Sequence, residues 1–246
     1  MTQSGRLPTV VLVHGAWADG SSWSAVITEL QHAGIAVTAA PIPLTSLQDD
    51  VAAVVRAIER TEGPVVLAAH AYAGAVISAA HHSRIQSLVF IAALAPDEGE
   101  TVADVFYRDP AHPQAPELSP TDEGWIWLPT KAFGTAFAQQ ASADELGLLA
   151  AVQRPIAVAC IQEPVARPLW KDLPSWYLVA EQDRMINPAT QDFMAKRMRA
   201  RISAHDVDPR RQCAARWLQV LTGRVAAASM AEIGRASCRE RVYGLV

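Results

Sequence analysis

Residues 64–80 read PVVLAAHAYAGAVISAA. Pro64 to Ala69 is a short apolar run carrying two valines, the pattern of a strand buried on both faces as in the interior of a parallel sheet. From about residue 72 to residue 82 the chain reads as a helix of small residues. Strand therefore gives way to helix within Ala69-His70-Ala71-Tyr72-Ala73-Gly74. Ala69 and Ala73 are small enough for close strand–helix packing across so sharp a turn, and Ala71 stands at its centre.

Working outward, Gly63-Pro64 closes an upstream helix whose apolar stripe is Val51, Val54, Val55 and Ile58. Ser46 starts it with Asp49 three residues on, a capping-box-like pair in which Asp replaces the usual Glu or Gln. Before that, Ile35–Thr38 reads as a strand. Trp23, Val26, Ile27 and Leu30 form a helix stopped by Gly34, and Thr9–Val13 (TVVLV) is a strand opening into His14-Gly15. Downstream, Ser87–Ala92 is a further strand. The alternation predicts an α/β fold with a mostly parallel sheet, right-handed crossovers and flanking helices. From Pro96 to about Pro174 the rhythm fails. Prolines cluster between 110 and 129, and helical stretches at 132–140 and 144–152 have no strand between them, which predicts an inserted helical lid. Trp176–Ala180 returns to strand, Ala189–Met198 to helix, and Arg201 to about Val207 to a last strand.

Of the 246 residues 50% are hydrophobic and 19% charged, enough for a large core in a single globular unit. The net charge of −4 gives no basic stripe for nucleic acid, and no apolar run reaches the roughly 18 residues a bilayer span requires. MTQSGRLP lacks the basic and apolar regions of a secretory signal, and three cysteines make no disulfide framework, so the expected location is cytoplasmic. The charge is unevenly spread. Residues 1–208 hold 14 Lys+Arg against 23 Asp+Glu, whereas residues 209–246 hold 7 against 2. Two of the three cysteines, Cys213 and Cys238, also fall in this tail, and Ile233–Val242 (IGRASCRERV) looks like the translation of a sequencing-library adapter. The expectation is a domain over 1–208, with a lid at about 96–174, followed by a non-native tail at 209–246 produced by a frame shift near Pro209. A natural extension is the competing reading.

Three stretches together, VLVHGAWADGSSW (11–23), LAAHAYAGAVI (67–77) and YLVAEQDRMINP (177–188), resemble the α/β-hydrolase branch that holds plant-type methylesterases, hydroxynitrile lyases and related bacterial esterases. The resemblance covers about residues 8–208. In that fold the nucleophile sits on a strand–helix elbow written G-x-S-x-G; the resemblance places Ala71 at the nucleophile position, without the hydroxyl. It also implies an oxyanion hole from the backbone N–H groups of Ala16 and Tyr72, which needs no particular side chain. Asp183 takes the place of the acid that orients a catalytic histidine, with Glu181 a less well-placed competitor.

The histidine is the missing member. The family expects it shortly after the last strand, but no histidine follows His205, which lies about four residues early and reads first as a strand residue. His70 reads as a residue that positions the turn, and His81-His82 as helix-end residues interacting with the dipole. Trp17, His70, Trp125 and Trp127 are expected to line the pocket, with Phe106, Tyr107, Phe133, Phe137 and Trp170 as further lid aromatics that pack equally well as core. Cys160 reads as a small buried residue. No spacing suggests a metal site, and no cofactor is implied. Alanine cannot attack a carbonyl, so the expected ligand is a small apolar ester or other carbonyl compound handled by one of three proteins. These are a disabled esterase of small-ester hydrolase ancestry, a non-covalent catalyst, or a small-molecule binding protein.

Overall fold

The computed structural model describes residues 7–205, and of His205 the backbone alone. The tail expected at 209–246 and the end of the last expected strand lie outside the described residues. Strand β1 (Thr9–Val13) is buried along its whole length, because its continuous apolar run presents a greasy face to both sides of the sheet. Val11 and Val13 point to one core with Leu67, Ala69 and Phe90, while Val10 and Leu12 point to another with Val66, Ala68 and Val89. Successive side chains of a strand face opposite ways, so both sheet faces must be covered by helices.

Strands β2 (Val37–Ala40), β3 (Val65–Ala71), β4 (Ile85–Ala93), β7 (Ser175–Ala180) and β8 (Arg201–His205) complete the main sheet. Its order is β2-β1-β3-β4-β7-β8, and every pairing is parallel, as the alternation of the sequence predicts. Helix α1 (Ser24–His32) covers the second face through Val26 and Leu30. Helices α2 (Leu47–Glu59), α3 (Ala73–Ala79) and α8 (Pro188–Arg197) cover the first.

Three boundaries differ from the sequence reading for local reasons. Strand β2 begins at Val37 rather than Ile35, because Gly34 at φ +72 and the Ile35 N–H bond to the Leu30 carbonyl (2.9 Å) extend the helix end into those residues. Helix α3 stops at Ala79. His81 and His82 therefore lie beyond it rather than at its dipole, and His82 Nδ1 instead accepts the Arg84 N–H at 3.1 Å. At α2, Ser46 accepts the Asp49 N–H (3.0 Å), but the Asp49 carboxylate takes the Thr45 hydroxyl (2.7 Å), so half of the expected box is formed.

Between β4 and β7 lies the insertion. It holds α4 (Val102–Phe106), β5 (Trp125–Ile126), α5 (Thr130–Ala132) running into a π-helical turn at Phe133–Phe137, α6 (Ala143–Ala151), β6 (Ile156–Ala157) and α7 (Val158–Gln162). The sequence reading has no strands here, yet β5 and β6 pair as an antiparallel ribbon. Two-residue strands carry no readable period. Among the described residues no helix is long and apolar enough to cross a membrane.

Candidate active site

A cavity of about 750 Å³, its mouth included, opens at the carboxyl ends of β1, β3, β4 and β7 and is roofed by the insertion. Open α/β sheets collect ligands at this edge, because the loops that leave neighbouring strand ends diverge there. Its walls are almost wholly apolar. Val102, Phe106, Ile126, Phe137, Ile156 and Ile161 come from the insertion, and Ala16, Trp17, His70, Ala71, Tyr72 and Asp183 come from the strand ends.

The turn after β3 is backbone-strained. Ala71 adopts φ +50, in the left-handed region, and Tyr72 then enters the helical region at φ −48 and ψ −40. The pairing of β3 with β4 shifts register between His70 and Ala71, and the Leu94 N–H holds the Ala71 carbonyl at 2.9 Å. Two glycines make the approach possible. A Cβ on Gly74 would lie 2.3 Å from the Leu94 carbonyl oxygen, so no side chain fits where α3 leaves the sheet. One on Gly15 would lie 2.9 Å from the Ala71 Cβ, so the loop after β1 reaches the turn only because residue 15 is bare.

That loop is fixed from the insertion side. The Trp17 N–H donates to the Arg154 carbonyl (3.1 Å) and its indole N–H to the Ile126 carbonyl (3.0 Å), while its ring meets Phe137 edge-on. His14, directly after β1, is buried, with Nδ1 3.0 Å from the Gly15 carbonyl; burial holds its imidazole below the ordinary histidine range. Ala16 and Tyr72 thus stand on two loops drawn together around Gly15. Among the described residues neither backbone N–H finds an acceptor in the surrounding turns.

Asp183, three residues past β7, is only 3% exposed. Its Oδ1 accepts the N–H groups of Met185 (2.8 Å) and Ile186 (3.0 Å), and its Oδ2 accepts the Gln191 amide at 2.8 Å. Gln191 is itself held by the Ala180 N–H (3.0 Å), so the carboxylate is anchored to the strand it follows. Neither an exposed loop acid nor a helix cap describes it; α8 is capped by Asn187. Glu181, its competitor in the sequence reading, is exposed and does not line the cavity.

The structure thus brings Ala16, Trp17, His70, Ala71, Tyr72 and Asp183 together. It does not bring Trp125 and Trp127, which are absent from the cavity wall. Ile126 between them faces inward, and alternation sends its two neighbours outward, leaving Trp127 49% exposed. Of the other expected lid aromatics, Tyr107 also lines the cavity, whereas Phe133 and Trp170 are buried core. His205 ends β8, paired in register with Ala180, and its side chain lies outside the described residues. Asp50, buried on α2 and bonded to Tyr72, escaped the sequence reading; the available signal was an acid at the i+3 position of a stripe that begins at Leu47. Among the described residues no group of His, Cys, Asp and Glu could hold a metal ion.

A family model described as the alpha/beta hydrolase family matches residues 10–218. The chain belongs to the α/β-hydrolase family. Three solved members of this fold illustrate the likeness. Polyneuridine aldehyde esterase superposes with a TM-score of 0.74 at 16% identity, over 91% of this chain and 100% of its own. A pyrethroid hydrolase from Sphingobium faniae JZ-2 gives 0.75 at 18%, over 92% and 100%. A variant of tomato methylketone synthase I complexed with β-ketoheptanoate gives 0.75 at 17%, over 92% and 100%. A search of curated proteins finds no match. At these identities the likeness establishes the α/β-hydrolase fold, which the sequence predicts.

Proposed function

We propose that this α/β-hydrolase binds a small carbonyl compound by its apolar chain, with its carbonyl oxygen toward the N–H groups of Ala16 and Tyr72, and acts on it without a covalent intermediate. The observation that carries the reading is the methyl group of Ala71 on the strained turn at the cavity wall, where the family's elbow presents its nucleophile. An acyl-enzyme needs a lone pair at that point, and alanine has none. The sequence as it stands also has no histidine past His205, where the family resemblance expects the activating base, and the reaction proposed next calls for none. An esterase and a pyrethroid hydrolase among the structural relatives support small-ester ancestry.

One carbonyl reaction needs neither group. In a β-keto acid, the electrons of the bond to the carboxylate carbon flow toward the ketone as CO2 leaves, the ketone oxygen becomes an enolate oxygen, and water returns a proton to carbon. Two amide donors at that oxygen stabilise the charge as it develops there. The apolar wall favours the same step, because a carboxylate deprived of its hydration becomes neutral CO2. The β-ketoheptanoate complex of the methylketone synthase supports this substrate class.

The test is release of 2-hexanone from β-ketoheptanoate by the full chain, run beside p-nitrophenyl acetate. The expected outcome is decarboxylation accelerated about 10³-fold over the spontaneous rate, the order that an oxyanion hole and binding alone supply, with no burst of p-nitrophenol. A burst from the Ala71 chain would overturn the non-covalent reading. Saturable binding of 2-hexanone without turnover of the acid would assign the cavity to a small-molecule binding protein.

A further inference from the structure

Directly behind Tyr72 lies a polar cluster that the proposed reaction does not use. Asp50 sits on the buried stripe of α2 and is 0% exposed. Its Oδ1 accepts the Leu44 N–H at 2.7 Å and its Oδ2 accepts the Tyr72 hydroxyl at 2.7 Å, with the Cys160 thiol directed at the same oxygen from 3.7 Å. Burial pushes the Asp50 carboxyl above its usual range, and these three donors pull it only part-way back. Burial also pushes the Cys160 thiol up to about 12 and the Tyr72 phenol well above its ordinary range, so both remain protonated donors. Asp50 and Cys160 do not line the cavity; Tyr72 does.

A buried acid is an expensive way to fill space, since an apolar side chain of similar volume would pack there without a desolvation penalty. What the carboxylate supplies is connection. Leu44, in the loop after β2, is held in the left-handed region at φ +63, and its carbonyl accepts the Ala157 N–H of β6 at 3.0 Å. Cys160 lies on α7, between the cavity-lining residues Ile156 and Ile161. One side chain thus ties the residue after Ala71, the loop after β2 and the insertion that roofs the cavity. Only two side-chain torsions separate the Tyr72 hydroxyl from its own backbone, so anchoring the ring restricts the amide at its other end.

We propose that Asp50 is a positioning residue: through the Tyr72 hydroxyl it orients the Tyr72 backbone N–H toward the cavity, and through Leu44 and Cys160 it registers the insertion above that N–H. The substrate end of this inference rests on the proposed non-covalent reaction; the orientation of the amide does not.

The experiment compares full-length wild type, Asp50→Asn and Asp50→Leu by the 1H–15N resonance of the Tyr72 amide, the melting temperature, and the kinetics of 2-hexanone release. In Asp50→Leu the Tyr72 resonance should move and kcat fall about tenfold with KM within about twofold, less than the roughly hundredfold or greater loss that follows complete removal of an oxyanion donor. Asp50→Asn keeps polar partners for Leu44 and Tyr72 and should return the resonance close to its wild-type position and kcat to within about threefold of wild type. An unmoved resonance in Asp50→Leu overturns the proposal. So does an Asp50→Asn chain that loses kcat and melting temperature as far as Asp50→Leu, which would mark a purely structural acid. If Asp50→Leu does not fold, Tyr72→Phe removes the hydroxyl alone; an unchanged kcat there overturns the proposal and a lowered one supports it. If wild type releases no 2-hexanone, it is the proposed function that fails, and the Tyr72 resonance alone then decides the role of Asp50.

Discussion

A side chain on a left-handed residue is a stored cost. Ala71 at φ +50 carries a Cβ that crowds its own backbone, for about 1–2 kcal/mol relative to a residue free to adopt that region. The neighbours do not relieve it. Gly15 makes room for the methyl, while the Leu94 N–H bond to the Ala71 carbonyl and the close seating of Gly74 pin the turn on both sides. Glycine has no such penalty but a larger loss of freedom on folding, about 0.5–1 kcal/mol. Ala71→Gly is therefore expected to raise stability by roughly 0.5–1 kcal/mol, read as a higher urea midpoint at unchanged slope. A lower midpoint would show that the turn holds alanine without strain. The strain explains why the position was legible: small residues at 69, 71, 73 and 74 announce a backbone that admits little else, whatever chemistry residue 71 performs.

Helices α3 and α6 are opposite in construction. In α3 all residues from Ala73 to Ser78 are buried between the sheet and α2. Helix α6 fully buries none, leaves Leu148 63% exposed, packs the partly buried Leu146, Leu149 and Ala150 against the core, and starts with a capping box in which Ser142 and Glu145 bond reciprocally to each other's backbone N–H groups. Since local opening is resisted by buried contacts, α6 is expected to exchange its amide hydrogens orders of magnitude faster than α3, and Ser142→Ala to accelerate it further. Hydrogen-exchange mass spectrometry reads both; equal protection would mean that the insertion opens only with the whole domain. The same contrast governs what the sequence revealed. Strands β1 and β3 are buried on both faces and appear as unbroken apolar runs, so they were placed to within two residues. Strands β5 and β6 gain their identity from each other across 30 residues, and nothing local marks them. Reading Trp125 and Trp127 as pocket residues failed on that account, because without the strand there was no alternation to show that Ile126 takes the inward place.

At the scale of the molecule, the sheet assembles the site by delivering one loop from each of several adjacent strand ends. β1 delivers Ala16, β3 delivers Ala71 and Tyr72, β4 delivers Leu94, and β7 delivers Asp183. β8 is next in that order beside β7, and its last residue, His205, is paired with Ala180, three residues before Asp183. The family resemblance expects the histidine that this carboxylate would orient shortly after the last strand, and past residue 208 the character of the sequence changes. Acid outnumbers base through residue 208, and the balance then reverses up to the adapter-like IGRASCRERV at 233–242. The family match ends at residue 218, before that stretch. We propose that the reading frame is broken near Pro209 and that the gene encodes a histidine at, or within a few residues of, that position. Resequencing the genomic locus tests it. A histidine in the corrected frame would make Ala71 the one missing member of an otherwise complete triad, and Ala71→Ser in the corrected chain should then hydrolyse p-nitrophenyl acetate with a burst. Pro209-Arg210-Arg211 in an intact frame would refute the proposal and restrict the role of Asp183 to holding the loop that carries Met185 and Ile186 at the cavity wall.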